Sequence, residues 1–278
     1  MFSPYYAAAR RRAARRGQAA DPLDHCAVNV ALYSGRSKRW TLTERGRRDL
    51  SRDATSLSIG PSSLTWDANG LTAEIDETTV PLPSRVRGSI RLRPETVHEE
   101  THALDPAGVH RWRPMAPCAR VEVALDRPAL RWSGRAYLDS NRGDSPLEEA
   151  FDQWHWSRSA LPDGSAAVLY DVRRRDGTAF GLARHFGSGG GVRDFDPPAP
   201  VSLARTLWRV DRAARVDPGG VPYLRRTLED TPFYTRSHLE GHLLGEPVQT
   251  VHESLSLRRF SQHWVQCLLP FRMPRRVG

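Results

Sequence analysis

The chain has 278 residues, enough to bury a large core as one big domain or two smaller ones. Its formal net charge is +9, mostly from arginine, with clusters at Arg10 to Arg16 and Arg272 to Arg276; such a balance points to nucleic acid, anionic lipid or an acidic substrate. Zinc-finger spacing, an RNP-like motif and a helix-turn-helix pattern are all missing, so no nucleic-acid partner is expected. Cys26, Cys118 and Cys267 stand far apart without a CxxC pair, which argues against a zinc knuckle and a disulfide framework and fits a reducing compartment.

The opening MFSPYYAAARRRAARRG carries no apolar core of the kind a secretory signal needs, and the longest apolar runs, such as VQCLLPF, are too short to cross a bilayer. A soluble or peripheral protein is expected. Residues 1–20 read as a basic, Ala-rich helix, either a solvated arm or a lipid-surface contact. CAVNVALYS and RWTLTER read as paired strands turning at Gly35, and Arg45 to Thr55 as a helical turn or a loop. From Ser56 short β-prone runs recur between turn signals: SLSIG, SLTWD, the turn Ala68-Asn69-Gly70, LTAEIDE and RVRGSIRLR, continued by ARVEVAL and ALRWSGRAYLD. A loop is expected from Asp139 to Pro146, then a helical patch in PLEEAFDQW, which Pro146 can start and Glu148 and Glu149 suit. AAVLYDVRRRDGTAFGLARHF reads as a hairpin around Asp176-Gly177. TLWRVDRAARV, YLRRTLED, LLGEPVQTVHESLSL and HWVQCLLPFRM are expected to complete the β series. This rhythm predicts an all-β sandwich or barrel architecture with few short helices, in two β-rich units joined near Ser133.

Three motifs compete for chemistry. HEETH at 98–102 matches a zinc-helix pattern with Glu99 as base, but it is boxed between Pro94 and Pro106, and Asp105 and Gly108 stand where the extended pattern needs glycine and histidine. DSNRGDSPLEE has a calcium-loop flavour, yet Asp144 and Ala150 stand where an EF-hand needs glycine and glutamate. The glycines of GSGGG lack the Gly at Val192 and the following helix of a dinucleotide fingerprint, so a flexible loop is expected.

The span His110 to Trp156 gathers two histidines, a cysteine, several carboxylates, Trp112, Trp132, Trp154, Trp156 and Tyr137. Aromatic walls exclude water while a buried acid keeps its proton, a combination suited to an apolar substrate that must be protonated. Tryptophans beside strands also build ordinary cores, and YLDSNRGD reads equally well as a strand with a polar turn.

The segments HRWRPMAPCARVEV, RWSGRAYLDSNRGDSPLE, WHWSR, RRTLEDTPFY and VHESLSLRRFSQHWVQCLLPFRMPRR, with FSPYYAAARRR and DPLDHCAVNVALY near the start, resemble the carotenoid 1,2-hydratases, also called hydroxyneurosporene synthases. The resemblance covers nearly the whole chain. It implies two lipocalin-like β-barrel domains in tandem, here residues 1–133 and 134–278, each able to enclose one long apolar ligand. It also singles out an H-x-W followed by a Y-x-D, present here as His110, Trp112, Tyr137 and Asp139. The implied chemistry is hydration of the terminal 1,2 double bond of an acyclic carotenoid such as neurosporene or lycopene. Asp139 would protonate carbon 2, and Trp112 and Tyr137 would surround the cation. His110 would orient Asp139 or take the proton of the attacking water. Water and the carotenoid are the expected partners, no cofactor or metal is expected, and Asp144 or Glu148 are the fallback acids. A non-catalytic carotenoid carrier is the alternative. Location is expected at the cytoplasmic face of the inner or photosynthetic membrane, held peripherally.

Overall fold

A computed structural model describes residues 3–34 and 38–276. Ser3 caps α1 (Pro4–Ala14), its hydroxyl accepting the Tyr6 amide at 2.9 Å, and Pro4 occupies the first turn where no amide is missed. Strands β1 (Asn29–Tyr33) and β2 (Lys38–Leu42) pair antiparallel; the turn residue Gly35 lies outside the described residues. A short 3-10 turn (Arg47–Asp49) leads into β3 (Leu50–Arg52), followed by β4 (Ser56–Ile59), β5 (Ser62–Asp67), β6 (Gly70–Thr78) and β7 (Arg85–Pro94). Gly70, at φ 118°, closes the β5–β6 hairpin opposite Asp67, as Asn-Gly chemistry predicts. After the two-residue β8 (His102–Ala103) come the long strands β9 (His110–Arg127) and β10 (Leu130–Gly143). The sheet order is β10-β9-β7-β6-β5-β4-β3, with β8 on β9.

The remaining strands are β11 (Phe151–Ala160), β12 (Ala166–Arg174), β13 (Ala179–Phe186), β14 (Val192–Asp194), β15 (Pro200–Ser202), β16 (Ala213–Arg215), β17 (Tyr223–Asp230), β18 (Tyr234–Leu243) and β19 (Glu246–Ser256). Seven of them form a second sheet in the order β14-β13-β12-β11-β19-β18-β17. Gly177, at φ 84°, turns the β12–β13 hairpin at the expected place. The GSGGG run turns between β13 and β14, its ends joined by Gly187 N–H to Gly191 O at 2.8 Å. The protein is mostly β with few helices, and neither large sheet closes on itself among the described residues.

The chain divides into two compact units with interleaved segments. One comprises Met1–Arg93, Arg120–Arg135 and Gln266–Gly278, and the other Pro94–Ala119 and Ala136–Val265. In the second, alternation along β18 and β19 buries Thr235, Ser237 and Leu239 together with Thr250, His252 and Ser254 on one face. Leu161, Ala167, Leu169, Ala183, Leu243 and Val248 make an apolar cluster in the same unit.

Four expected elements differ. The loop expected from Asp139 begins later, because β10 runs on to Gly143 and puts Asp139 within a strand. PLEEAFDQW is helical only over α2 (Leu147–Ala150): its N-cap Pro146 offers no side-chain bond, and Phe151, fully buried, starts β11 with β-favouring aromatics behind it. HWVQCLLPFRM, expected as strand, forms α4 (His263–Leu268) and a 3-10 turn, after the single turn α3 (Leu257–Phe260). Its buried residues Val265, Leu269 and Met273 recur every fourth position, a helical spacing. Of TLWRVDRAARV, only Ala213–Arg215 pairs as strand.

Candidate active site

Side chains alternate along a strand, so His110 and Trp112 share one face of β9, and Tyr137, Asp139 and Asn141 share one face of β10. Trp112 is fully buried and its Nε1–H donates to Asp139 Oδ2 at 2.9 Å. The Tyr137 hydroxyl donates to the same oxygen at 3.0 Å. Three of the four residues singled out by sequence therefore converge on one carboxyl oxygen. Around them the rings form a chain of contacts: Trp112 lies 5.4 Å from Tyr170, Tyr170 5.5 Å from Trp154, and Tyr137 5.2 Å from Trp156, all tilted. Tyr170 donates its hydroxyl to Asn141 Oδ1 at 3.2 Å, and Asn141, exposed, marks the solvent edge of the site.

Burial among these rings pushes the Asp139 carboxyl up from its ordinary range. The bonds from Trp112, Tyr137 and Asn141 oppose that rise by favouring the anion, and the negative charge of Glu253 adds to it, leaving the net shift upward. Burial, reinforced by the Asp139 charge, also holds the Tyr137 and Tyr170 phenols well above their usual range, so both stay neutral donors.

His110 is placed differently from the other three. Its Nδ1 lies 3.0 Å from Asp105 Oδ2 and its Nε2 3.0 Å from the Ser145 carbonyl, with the ring edge-on to Phe151 at 4.9 Å. Both ring nitrogens are thus committed to acceptors other than Asp139. Burial pushes the Asp105 carboxyl up, but the amides of His110 and Val109 and the His110 ring outweigh it and hold the group below its ordinary range. This knot fastens the start of β9 beside the residues that follow β10.

HEETH forms no helix. His98 packs edge-on to Phe186 at 5.3 Å, while His102 lies 5.4 Å from Trp112 and its Nε2 3.2 Å from Arg184 Nη1, so the two rings do not share a zinc face. Among the described residues no group of three or more His, Cys, Asp or Glu is placed to hold a metal ion. Of the fallback acids, Asp144 is exposed and paired with Arg111 at 3.5 Å, and Glu148 sits in the single turn of α2.

Sequence reasoning missed Tyr170, Asn141, Glu253 and Asp105. Tyr170 and Glu253 flank Trp156 because β12 and β19 both pair with β11, at Tyr170↔Trp156 and Trp156↔Glu253. Nothing local announces that pairing. A glutamate inside the otherwise uncharged strand VQTVHESLS was the one legible signal.

The fold and the site together define an all-β protein whose aromatic wall holds a carboxyl group pushed toward its protonated form. The family model described as "Carotenoid hydratase CrtC" matches residues 1–278, and the chain belongs to that family and is a hydratase. It is 54% identical over 279 residues to the acyclic carotenoid 1,2-hydratase of Thiocapsa roseopersicina, covering 100% of this chain and 67% of that protein. The proteins of the same name from Rubrivivax gelatinosus and Cereibacter sphaeroides are 49% and 39% identical, again over 100% of this chain and over 68% and 96% of theirs.

Proposed function

We propose that this hydratase adds water across the terminal 1,2 double bond of acyclic carotenoids such as neurosporene and lycopene, giving 1-hydroxy tertiary alcohols. The observation that carries the reading is the Asp139 carboxyl, pushed up by burial and bonded through Oδ2 alone to both Trp112 and Tyr137. With Oδ2 accepting two bonds, Oδ1 carries the proton and acts as donor. An alkene is a very weak base, so a neutral carboxyl in an aromatic surround suits the task where an exposed carboxylate would not. Protonation at carbon 2 leaves a tertiary cation at carbon 1. The faces of Trp112, Tyr137 and their neighbours stabilise it by up to about 2 kcal/mol each when desolvated. Water captures the cation. His110, with both ring nitrogens engaged, is a positioning residue for this site. Addition of water needs no redox step, and the reading includes no nicotinamide or metal.

A carotenoid carrier would want the same rings without a carboxyl pushed toward its neutral form, which favours the enzyme. A cavity of about 450 Å³ in the other unit is edged by Glu74, Arg91, Glu122, Asp126 and Arg131, a charged lining unsuited to a polyene. We read each of the two interleaved units as a lipocalin-like domain, the chain passing from one to the other near Ser133 and also within β7, β9 and α4. No helix among the described residues is long and apolar enough to cross a membrane. For peripheral attachment at the cytoplasmic face, support comes from Leu207, Trp208 and Trp264, 97%, 42% and 42% exposed, beside the exposed Arg209 and Arg258.

The test is incubation of purified protein with lycopene in heavy water. A shift to the more polar tertiary alcohol, with one deuterium at carbon 2 and the new hydroxyl at carbon 1, is expected. Unchanged carotenoid bound to the protein would support the carrier, and loss of turnover on chelation with recovery by zinc would replace the acid mechanism by a metal one.

A further inference from the structure

A hydration that begins with a proton donor must end with a proton acceptor, because the water that captures the cation has to lose a proton. His110 has no ring nitrogen to spare for it. Resting on the function proposed above, we infer that Glu253, held by Arg236, is the general base that orients and deprotonates the attacking water. Its place in the sheet supports this. Across β12, β11, β19 and β18, the register sets Tyr170, Trp156, Glu253 and Arg236 in one row, on the face that carries the aromatic wall. Trp156 packs against Tyr137, which holds Asp139. Glu253 therefore sits one side chain away from the ring beside the acid. Two guanidinium nitrogens of Arg236 reach Glu253 Oε1, Nε at 2.8 Å and Nη2 at 2.6 Å. Oε2 remains available to accept from water.

A second feature of the row fits a water site. The indole nitrogens of Trp154 and Trp156 are buried and have no hydrogen-bond partner among the described residues. A buried N–H without a partner is destabilising, and a structure retains one where the donor has a task. Trp156 Nε1–H can donate to the water oxygen while Glu253 Oε2 accepts one of its protons. The step then balances. Asp139 gives its proton to carbon 2, breaking the π bond and leaving the cation at carbon 1. A lone pair of water forms the C–O bond as the O–H bond breaks toward Glu253. Glu253, its side chain 18% exposed, returns the proton to Asp139 through solvent. One water has been added. The like charge of Glu253 also helps keep Asp139 protonated, so one residue serves both halves of the reaction.

The titratable or charged groups on this face around Glu253 are Tyr234, Arg236 and His238 of β18, the buried Glu229 of β17 across from Arg236, Arg158 of β11, Tyr170 of β12, and Tyr137 and Asp139 of β10. The test is Glu253→Gln, which keeps an acceptor for Arg236 and hence the fold, checked by its melting curve. We expect kcat to fall about a hundredfold or more with KM nearly unchanged. In heavy water, capture should now lag behind protonation, so recovered carotenoid gains deuterium at carbon 2 relative to alcohol formed. The alkaline limb of the rate should move to lower pH, since Asp139 loses a neighbouring negative charge. Glu253→Asp, which keeps the charge, should restore the limb. A slower Glu253→Gln enzyme with the wild-type deuterium ratio and wild-type limb would be a structural defect and would overturn the assignment, as would full activity. Failure of the underlying function shows separately, because wild-type protein would then give neither alcohol nor exchange.

Discussion

Replacing Asp139 by asparagine removes the transferable proton and almost nothing else. The amide oxygen can still accept from Trp112 Nε1 and the Tyr137 hydroxyl, bonds of 2.9 and 3.0 Å that are each worth about 1 kcal/mol net, so the local fold should persist. A positioned general acid supplies about 10²- to 10⁴-fold in rate, so kcat should drop by at least the lower figure, about 3 kcal/mol in barrier. Stability should move the other way. Because burial raises the Asp139 pKa in the folded protein, the stability its neutral form contributes is complete below the ordinary value of 3.8 and is lost as pH rises through the folded value. Asparagine does not titrate. The variant should therefore melt close to wild type below the ordinary 3.8 and increasingly above wild type as pH rises through the folded value, at the same time as hydration disappears. Melting curves across that range and product chromatography at neutral pH check both halves. Wild-type turnover in the folded variant, or a stability difference that shrinks as pH rises, would rule out Asp139 as the buried proton donor.

Other outcomes follow from the same geometry. Trp112→Phe deletes a donor that favours the Asp139 anion, so the acid weakens, the alkaline limb of the rate moves to higher pH, and the lost bond and ring volume at a fully buried site cost about 2 to 3 kcal/mol by denaturant titration. Glu77 is buried between Arg45 Nη2 at 2.8 Å and the Ser62 hydroxyl at 2.9 Å, and Glu77→Ala, which strands the Arg45 charge, should cost about 3 to 5 kcal/mol. His155 and His252 stack at 6.0 Å, and burial depresses them to about 4 and about 3 respectively. Stability they contribute as neutral rings is complete above their ordinary 6.5 and lost as pH falls through the folded values; His252→Gln should flatten that acid decline in thermal melts.

Much of the fold was legible because its signals are local. Asn69-Gly70 and Asp176-Gly177 turn their hairpins where residue chemistry puts them, and the alternating runs between them are strands. The failures are places where tertiary burial overrode a local preference. Phe151 joins a strand because its ring is needed in the core, although Pro146, Glu148 and Glu149 favour a helix. The reverse holds at Val265, Leu269 and Met273, whose four-residue spacing was hidden within a short apolar run. At the site, Trp112, Tyr137 and Asp139 could be named through the family resemblance of the H-x-W and Y-x-D motifs, since their types alone read equally well as core and a strand with a polar turn. Tyr170 and Glu253 could not, since they reach the same face only through the pairing of β12 and β19 with β11, which brings residues 156 and 253 side by side. His110 could be named through the same resemblance, but the neighbours of its ring nitrogens, Asp105 and the Ser145 carbonyl, could not, because the contact with Ser145 forms only in the folded sheet.

The proposed hydration turns on Asp139 being protonated while the enzyme works. Carboxyl-¹³C labelling of aspartate, with the Asp139 resonance identified by its loss in Asp139→Asn, gives its titration directly. A midpoint above 3.8 that coincides with the alkaline limb of the hydration rate is expected. A midpoint at or below that value, or a rate that persists undiminished once Asp139 has ionised, would contradict that role for Asp139.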